Sequence, residues 1–430
     1  MLMKNIQDKK GELFIDGVST ADLAKKLDTP LYVYSKTKIQ NQYRKIKEAL
    51  DRNLDRSRIL YSAKANSNLS ILKILEKEGT SLDAVSPGEV YIAKKAGFSP
   101  DRIFFTGTSV RTDEMAWLLK EGITINIDSL SQLIRLLELA TPPVISVRIN
   151  PTLGAGHHEH VVTGGKVSKF GLWEDTALNA YERAVRAGVK RFGIQMHIGS
   201  GIMNPELFIQ AVRNLLDTAG KIRKNIGCIF DFIDIGGGIG VPYLPDEEEF
   251  KLDSYSEKIS NLYQEKTEEL DLGEPELWLE LGRFLVAEAG VLLTRVNTVK
   301  VTPYRKFAGV DAGFNTLVRP IMYGAYHHIL VANRLREPLE VEYDVAGPIC
   351  ESGDLLAKGR MLPTLREGDL LAVLNVGAYG FSMSSEYNSR PRASEVLVFN
   401  GHHEVIRKRG LPDDLLSHQK DPSMDDARAC

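Results

Sequence analysis

The chain has 430 residues, 43% of them hydrophobic and 26% charged, with a formal net charge of -3. That length holds one large domain or two, and so small a charge with no Lys/Arg block argues against a nucleic-acid partner. Cys228, Cys350 and Cys430 are far apart, which is neither a zinc spacing nor a disulfide framework and points to a reducing compartment.

The opening stretch MLMKNIQDKKGELFIDG is polar and lacks the apolar core of a signal peptide. No apolar run is long enough to span a bilayer, so the expectation is a cytoplasmic protein without membrane contact. From Arg58 onward, short β-like runs alternate with longer amphipathic ones. The β-like runs are RILYSAK from Arg58, SLDAVS from Ser81, RIFFTG from Arg102, ITINID from Ile123, VISVRIN from Val144, FGIQMHIG from Phe192, CIFDFIDIGGG from Cys228 and ELWLELGR from Glu276. Between most of them lie stretches such as LSILKILEKEG and PGEVYIAKKAG, apolar at helical spacing and closed by glycine. Eight strands alternating with helices predict a (β/α)8 barrel, with a doubly wound open sheet as the competitor. After about residue 290 the runs GVLLTRVNTVKV, LEVEYDVAG, DLLAVLNVGAYG and SEVLVFNGHHEVIRKRG are β-rich and no long helical pattern separates them. They predict a second, mostly antiparallel β domain. The expected division is a barrel over 35–288 and a β domain built from 1–34 and 289–430.

A barrel of this kind carries its chemistry at the C-terminal ends of its strands. Those ends hold Lys64 in YSAKANSN, Asp83 and Ser86, His197 and Ser200 in HIGSG, Gly236, Gly237 and Gly238, and then Glu280, Gly282 and Arg283. A lysine between two alanines at a strand end either reaches solvent or has a partner or a task. Glycine N–H groups can close around a phosphate, although GGG alone is also an ordinary tight turn. A lysine for an aldehyde, a cradle for a phosphate, a carboxylate for a ring nitrogen and an imidazole for a ring face together describe a pyridoxal 5'-phosphate site.

The chain resembles the fold type III, alanine-racemase-like pyridoxal-phosphate decarboxylases along nearly its whole length. The matching stretches include YSAKANSN, SLDAVSPGEV, HIGSG, DIGGGIG, ELGRFLVAEAG, VDAGFNTLVRPIMYGAYH, GPICESGDLLAKGRMLP and GAYGFSMSSEYNSRP. The resemblance implies that Lys64 bonds the cofactor and His197 stacks on its ring. It implies that Ser200, the Gly236–Gly238 loop and the backbone around Gly282 and Arg283 hold the phosphate, that Glu280 pairs with the ring nitrogen, and that Asp83 and Asn66 support the rim. Tyr379 would close over the phosphate from the β domain. Cys350 would be the acid that protonates the carbon losing carbon dioxide, in active sites shared across a homodimer. The family usually reads Glu-Pro-Gly-Arg where this chain has Glu280-Leu281-Gly282-Arg283, and leucine does not fix the backbone as proline does.

The resemblance further implies that Arg283, Arg319, Tyr323 and Tyr379 meet a distal carboxylate and Glu351 a distal amine. That pattern fits conversion of meso-2,6-diaminopimelate to L-lysine, and Arg319 would oppose the ammonium end of ornithine or lysine. The alternative is a sister decarboxylase acting on carboxynorspermidine, ornithine, arginine or a D-amino acid. Arg319 could instead be a structural arginine, Cys350 a packed small residue and Glu351 an interface ion pair. GHHEH, with His157 to His160, looks like a metal cluster, but no second ligand group accompanies it and no metal is expected.

Overall fold

The computed structural model describes residues 6–151, 154, 165 and 168–420. The GHHEH run and Cys430 lie outside the described residues. Strands β1 (Ile6–Lys9), β2 (Glu12–Ile15) and β3 (Val18–Ser19) lead to helix α1 (Thr20–Leu27), strand β4 (Leu31–Ser35) and helix α2 (Lys36–Asp51). Then come β5 (Ser57–Ser62), α3 (Leu69–Glu78), β6 (Ser81–Ala84), α4 (Pro87–Ala96), β7 (Ile103–Phe105), α5 (Thr112–Lys120), β8 (Thr124–Ile127), α6 (Leu130–Leu139) and β9 (Val144–Ile149). The alternation continues through α7 (Glu174–Arg186), β10 (Arg191–Met196), α8 (Pro205–Ile226), β11 (Phe230–Asp234), α9 (Leu252–Glu269) and β12 (Glu276–Leu281). The short α10 (Arg283–Val286) precedes β13 (Gly290–Val301), β14 (Lys306–Val310), α11 (Arg319–Tyr323), β15 (Ile329–Val331), β16 (Val341–Ala346), β17 (Leu355–Leu362), β18 (Leu370–Val373), β19 (Ser394–Phe399) and β20 (His402–Arg407).

The chain forms two compact units. One contains residues 38–242 and 246–288, the other residues 1–37, 243–245 and 289–430. In the first, β5 to β12 close in the order β10-β11-β12-β5-β6-β7-β8-β9, every neighbouring pair parallel. The closed ring sets aside the open doubly wound sheet. The helices stop and start on local chemistry. Asn68, Ser86, Ser129 and Asn204 cap the N-termini of α3, α4, α6 and α8 with their side chains. Gly79, Gly97 and Gly227 end α3, α4 and α8 in the left-handed region. Low in the barrel, Leu60, Phe104, Phe232 and Trp278 form an apolar plug, with the Phe232 and Trp278 rings stacked at 3.6 Å. Leu60, Phe104 and Phe232 come from alternate strands, the layering that fills a closed barrel.

In the second unit the sheet runs β17-β16-β14-β13-β4-β19-β20, with β18 pairing β13 and β15. Most pairs are antiparallel; β14–β16 and β19–β4 are parallel. The fully buried β4, LYVYS, stands between β13 and β19, far from both in sequence. Ile6, Leu13, Ile15 and Leu23 share one core with Val291, Leu293, Leu370 and Val396. Among the described residues no helix is long and apolar enough to cross a membrane.

Candidate active site

The strand RILYSAK ends earlier than its sequence suggests. β5 stops at Ser62, and Lys64 sits in a single 3-10 turn, Ala63–Ala65, between two fully buried alanines. Tyr61 Oη donates to the Asn66 carbonyl at 2.9 Å, and Asn66 Oδ1 accepts from the Asn68 N–H at 3.1 Å, which holds the turn. Lys64 Nζ is 3.2 Å from Oδ2 of Asp83, while Asp83 Oδ1 accepts from Thr106 Oγ1 at 2.5 Å. Asp83 is buried and the Lys64 side chain is 36% exposed. The lysine is therefore held by a buried carboxylate and keeps access to the mouth of the barrel. Ser86, one turn further on, is spent on capping α4.

Above the aromatic plug the inward positions become polar. Gln195 Nε2 donates to both oxygens of Glu280, at 3.1 Å each, and Asn126 Nδ2 donates to Gln195 Oε1 at 3.1 Å. These residues sit on β8, β10 and β12, which are not neighbours, so their side chains meet through the interior. Asp234 is fully buried; its Oδ1 accepts from the Gly236 N–H at 2.8 Å, and its Oδ2 meets no donor. Burial pushes the Glu280 carboxyl well above the usual carboxylate range, and the neighbouring Asp234 and Asp83 add to the effect. Burial likewise pushes Asp234 up. Arg148, also buried, packs its guanidinium on the Phe170 ring at 4.4 Å, and burial lowers its proton affinity.

His197 follows β10. Its Nδ1 accepts the Gly237 N–H at 3.1 Å, and burial, with Lys64 and Arg148 nearby, pushes its pKa well below the ordinary value. The ring is neutral at pH 7, with its proton on Nε2. The glycines have a packing reason as well as an anion-binding one. A Cβ on Gly237 would lie 1.7 Å from the Glu280 carbonyl oxygen, and one on Gly236 2.3 Å from that of Met196. The Gly236 and Gly237 N–H groups are already bonded to Asp234 and His197. The Gly238 N–H has no hydrogen-bond partner among the described residues, so it is the donor this loop can offer an anion. The buried Arg283 donates from Nε and Nη2 to Ser200 Oγ, at 3.3 and 3.1 Å, and adds the positive charge such a guest needs. Gly282 lets β12 approach the Lys64 turn, since a Cβ there would meet that of Ala65 at 3.1 Å. Leu281 is an ordinary buried strand residue opposite Tyr61.

Arg319, Tyr323, Cys350, Glu351 and Tyr379 belong to the other unit. Arg319 is 1% exposed; its Nη1 lies 3.1 Å from Tyr243 Oη and 2.9 Å from His327 Nε2. His327 Nδ1 is 2.8 Å from the Leu374 carbonyl, so it donates there and presents Nε2 as an acceptor to Arg319. Tyr323 is the last residue of α11. Cys350 is exposed, not packed, and its N–H donates to Asn388 Oδ1 at 2.9 Å. Glu351 lines an apolar hollow with Phe314, Val318, Ile321, Met322 and Tyr387. Tyr379 has φ 59, a left-handed conformation that is strained for a bulky side chain.

Reading strand ends missed Asn126, Gln195, Asp234, Arg148 and Thr106. The signal was there. Strands buried on both faces read as apolar runs, so the polar residues at alternate positions of ITINI, FGIQM and ELWLEL mark the inside of the barrel. Among the described residues, no group of His, Cys, Asp and Glu could hold a metal ion.

Comparison with known proteins bears on this geometry. The family described as Pyridoxal-dependent decarboxylase, pyridoxal binding domain, matches residues 36–287. Diaminopimelate decarboxylase of Methanothermobacter thermautotrophicus is 53% identical over 416 residues, covering 96% of this chain and 97% of that one. The enzyme of the same name from Archaeoglobus fulgidus is 39% identical over 96% of this chain and 98% of its own. Among solved structures, diaminopimelate decarboxylase from M. jannaschii in complex with L-lysine superposes with a TM-score of 0.91 at 35% identity, covering 98% of this chain and 99% of that one.

Proposed function

The chain belongs to the pyridoxal-dependent decarboxylases, and from that premise we propose that it removes one carboxyl group of meso-2,6-diaminopimelate, yielding L-lysine and carbon dioxide. The observation that carries the substrate is the full-length likeness, at 53% identity, to a diaminopimelate decarboxylase. The donor set fits the cofactor. The buried carboxyls Asp83, Asp234 and Glu280 outnumber the nearby cations Lys64 and Arg148, and the Asp234 oxygen without a donor marks the imbalance. A protonated ring nitrogen corrects that imbalance, and Ser200, Arg283 and the Gly238 N–H suit a phosphate. When bound, the cofactor supplies the electron sink that lets a carboxylate leave as carbon dioxide.

The residues of the chain divide the remaining work. Lys64 would hold the cofactor covalently through Nζ, and Asp83 positions that amine. Glu280 holds a proton at the ring nitrogen. His197, neutral and tethered through Nδ1, offers a flat face to the ring. Arg319 is the distal carboxylate's partner, with Arg283, Tyr323 and Tyr379 beside it, and Glu351 meets the distal ammonium. Cys350 Sγ delivers a proton to the carbon that lost carbon dioxide; its exposure supports a role completed by another surface. We assign that surface to a second copy of the chain, in a homodimer with shared sites, and place the enzyme in the cytoplasm. The barrel over 35–288 is on this reading the cofactor domain, and 1–34 with 289–430 the domain that meets the substrate's far end.

Purified, cofactor-loaded protein offered meso-diaminopimelate, L-ornithine, L-arginine and carboxynorspermidine is expected to release carbon dioxide and L-lysine from the first alone. Turnover of another substrate with diaminopimelate silent would move the error to Arg319, Tyr323 and Glu351.

A further inference from the structure

We propose that Gln195 is a positioning residue for this reaction: its amide fixes the Glu280 carboxyl as the ring-nitrogen partner, and Asn126 fixes the amide. The inference rests on the reading of Glu280 given above and deepens it. The three side chains form one line across the barrel interior, from β8 through β10 to β12, and all three are buried. Gln195 Nε2 is 3.1 Å from each Glu280 oxygen, so swinging the carboxyl away breaks two hydrogen bonds at once.

Without that amide Glu280 has a poorer alternative close by. Asp234 is buried against it, close enough for the two carboxyls to share a hydrogen bond. Two buried carboxyls side by side favour a shared proton over two charges. Glu280 would then keep its proton and turn to Asp234, and would be lost to the ring nitrogen. Gln195 opposes this by donating to both oxygens, which stabilises the carboxylate. A neutral donor can do so without cancelling the charge, whereas lysine or arginine at the same place would compete with the cofactor's N–H. The direction of the amide matters, because the flipped form would set Gln195 Oε1 against the carboxylate. Asn126 Nδ2, bonded to Oε1 at 3.1 Å, prevents the flip.

The test compares Gln195→Met, Asn126→Asp, their double variant and Glu280→Gln in the full-length protein. Methionine keeps the length of glutamine without its donors, and aspartate cannot donate to Gln195. In Gln195→Met kcat is expected to fall about tenfold or more with KM changed less than about threefold. Asn126→Asp should lower kcat in the same direction, and the double variant should lose little more than Gln195→Met alone. Infrared spectra of the cofactor-free protein supply a readout independent of turnover. Gln195→Met should shift the protonated-carboxyl band of the wild type, because the carboxyl loses its amide donor, and the shifted band should vanish when Glu280→Gln is added. If Gln195→Met fails to fold, Asn126→Leu, which removes the donor to Gln195 without adding a carboxyl, carries the same readouts, since it touches Gln195 and not Glu280. Wild-type kcat and an unchanged carboxyl band in a folded Gln195→Met overturn the inference, while loss of turnover in Glu280→Gln keeps the role of Glu280. Unchanged turnover in Glu280→Gln instead removes that role, and the inference with it.

Discussion

Lys64 shows how one residue is kept both charged and reachable. Its ammonium is 3.2 Å from a buried carboxylate, yet its side chain is 36% exposed. Asp83 is satisfied on its other oxygen by Thr106, so neither charge is left uncompensated. Lys64→Ala is expected to abolish the bound cofactor's near-visible absorbance and to cut turnover by at least about a thousandfold. Cys350 makes the opposite case. It is exposed, and no buried partner depends on it, so Cys350→Ala should lower kcat by roughly a hundredfold or more, as loss of a general acid does, while the cofactor dissociation constant and melting temperature stay within error. Equal loss of cofactor affinity and turnover would mark it as structural. Gly237 tests the loop: a methyl group there would collide with backbone 1.7 Å away, which no rotamer can relieve. Gly237→Ala should cost about 3 kcal/mol of stability, read as a lowered unfolding midpoint of the cofactor-free protein.

Along the barrel strands an apolar base carries a polar mouth. Trp278 illustrates the base, stacked on Phe232 and edge-on to Phe104, with the Arg58 guanidinium over its ring. Trp278→Ala should cost about 3–5 kcal/mol, measured by denaturant unfolding. At the other end of the strands, the first turn of α4 carries Glu89, whose carboxylate accepts the Val85 N–H at 2.7 Å. Burial raises its pKa to about 7, and Asp83 adds to the rise against the opposing pull of Lys64 and the Val85 N–H. A carboxyl with a raised folded pKa binds protons more tightly folded than unfolded. Stability is therefore lost as pH rises from about 4.5, the unfolded value, to about 7. Glu89→Gln keeps the acceptor for Val85 and removes the charge. It should match the wild type below pH 4.5 and be the more stable variant above pH 7, when cofactor-free proteins are unfolded in urea across that range. Parallel curves at all pH values would deny the buried carboxylate its cost.

At the scale of the whole molecule the proposed homodimer makes the sharpest demand. Met322 and Tyr387 are 51% and 48% exposed and line the apolar hollow that also holds Glu351. Exposed apolar surface of that kind invites a partner, and the shared active site proposed above names a second copy. Sedimentation should report a dimer, weakened by Met322→Lys. If Lys64 and Cys350 of one site come from different subunits, mixing the inactive Lys64→Ala and Cys350→Ala proteins under subunit exchange restores activity. An equal mixture gives half heterodimers with one intact site of two, so about a quarter of wild-type activity returns. No recovery would place both residues in one subunit.

The sequence by itself determined the alternation of eight strands with helices between Arg58 and Arg283, because strand and helix periods are local, while closure into a ring rather than an open sheet was decided by the tertiary structure. It also pointed to the cofactor, because the proposed site residues Lys64, His197, Glu280 and the glycine loop stand at strand ends, which a closed barrel gathers on one rim. Tertiary structure alone decided the rest. β4 pairs with β13 and β19, partners more than 250 residues away along the chain, and nothing in LYVYS names them. Asn126, Gln195 and Glu280 lie on strands that never pair, so their hydrogen bonds exist only once the ring has closed. The Gly236 and Gly237 N–H groups looked available for an anion until folding brought Asp234 and His197 to them. In each case the period of a segment fixes which face a residue takes, while its partner on that face is chosen by the long-range closure of the chain.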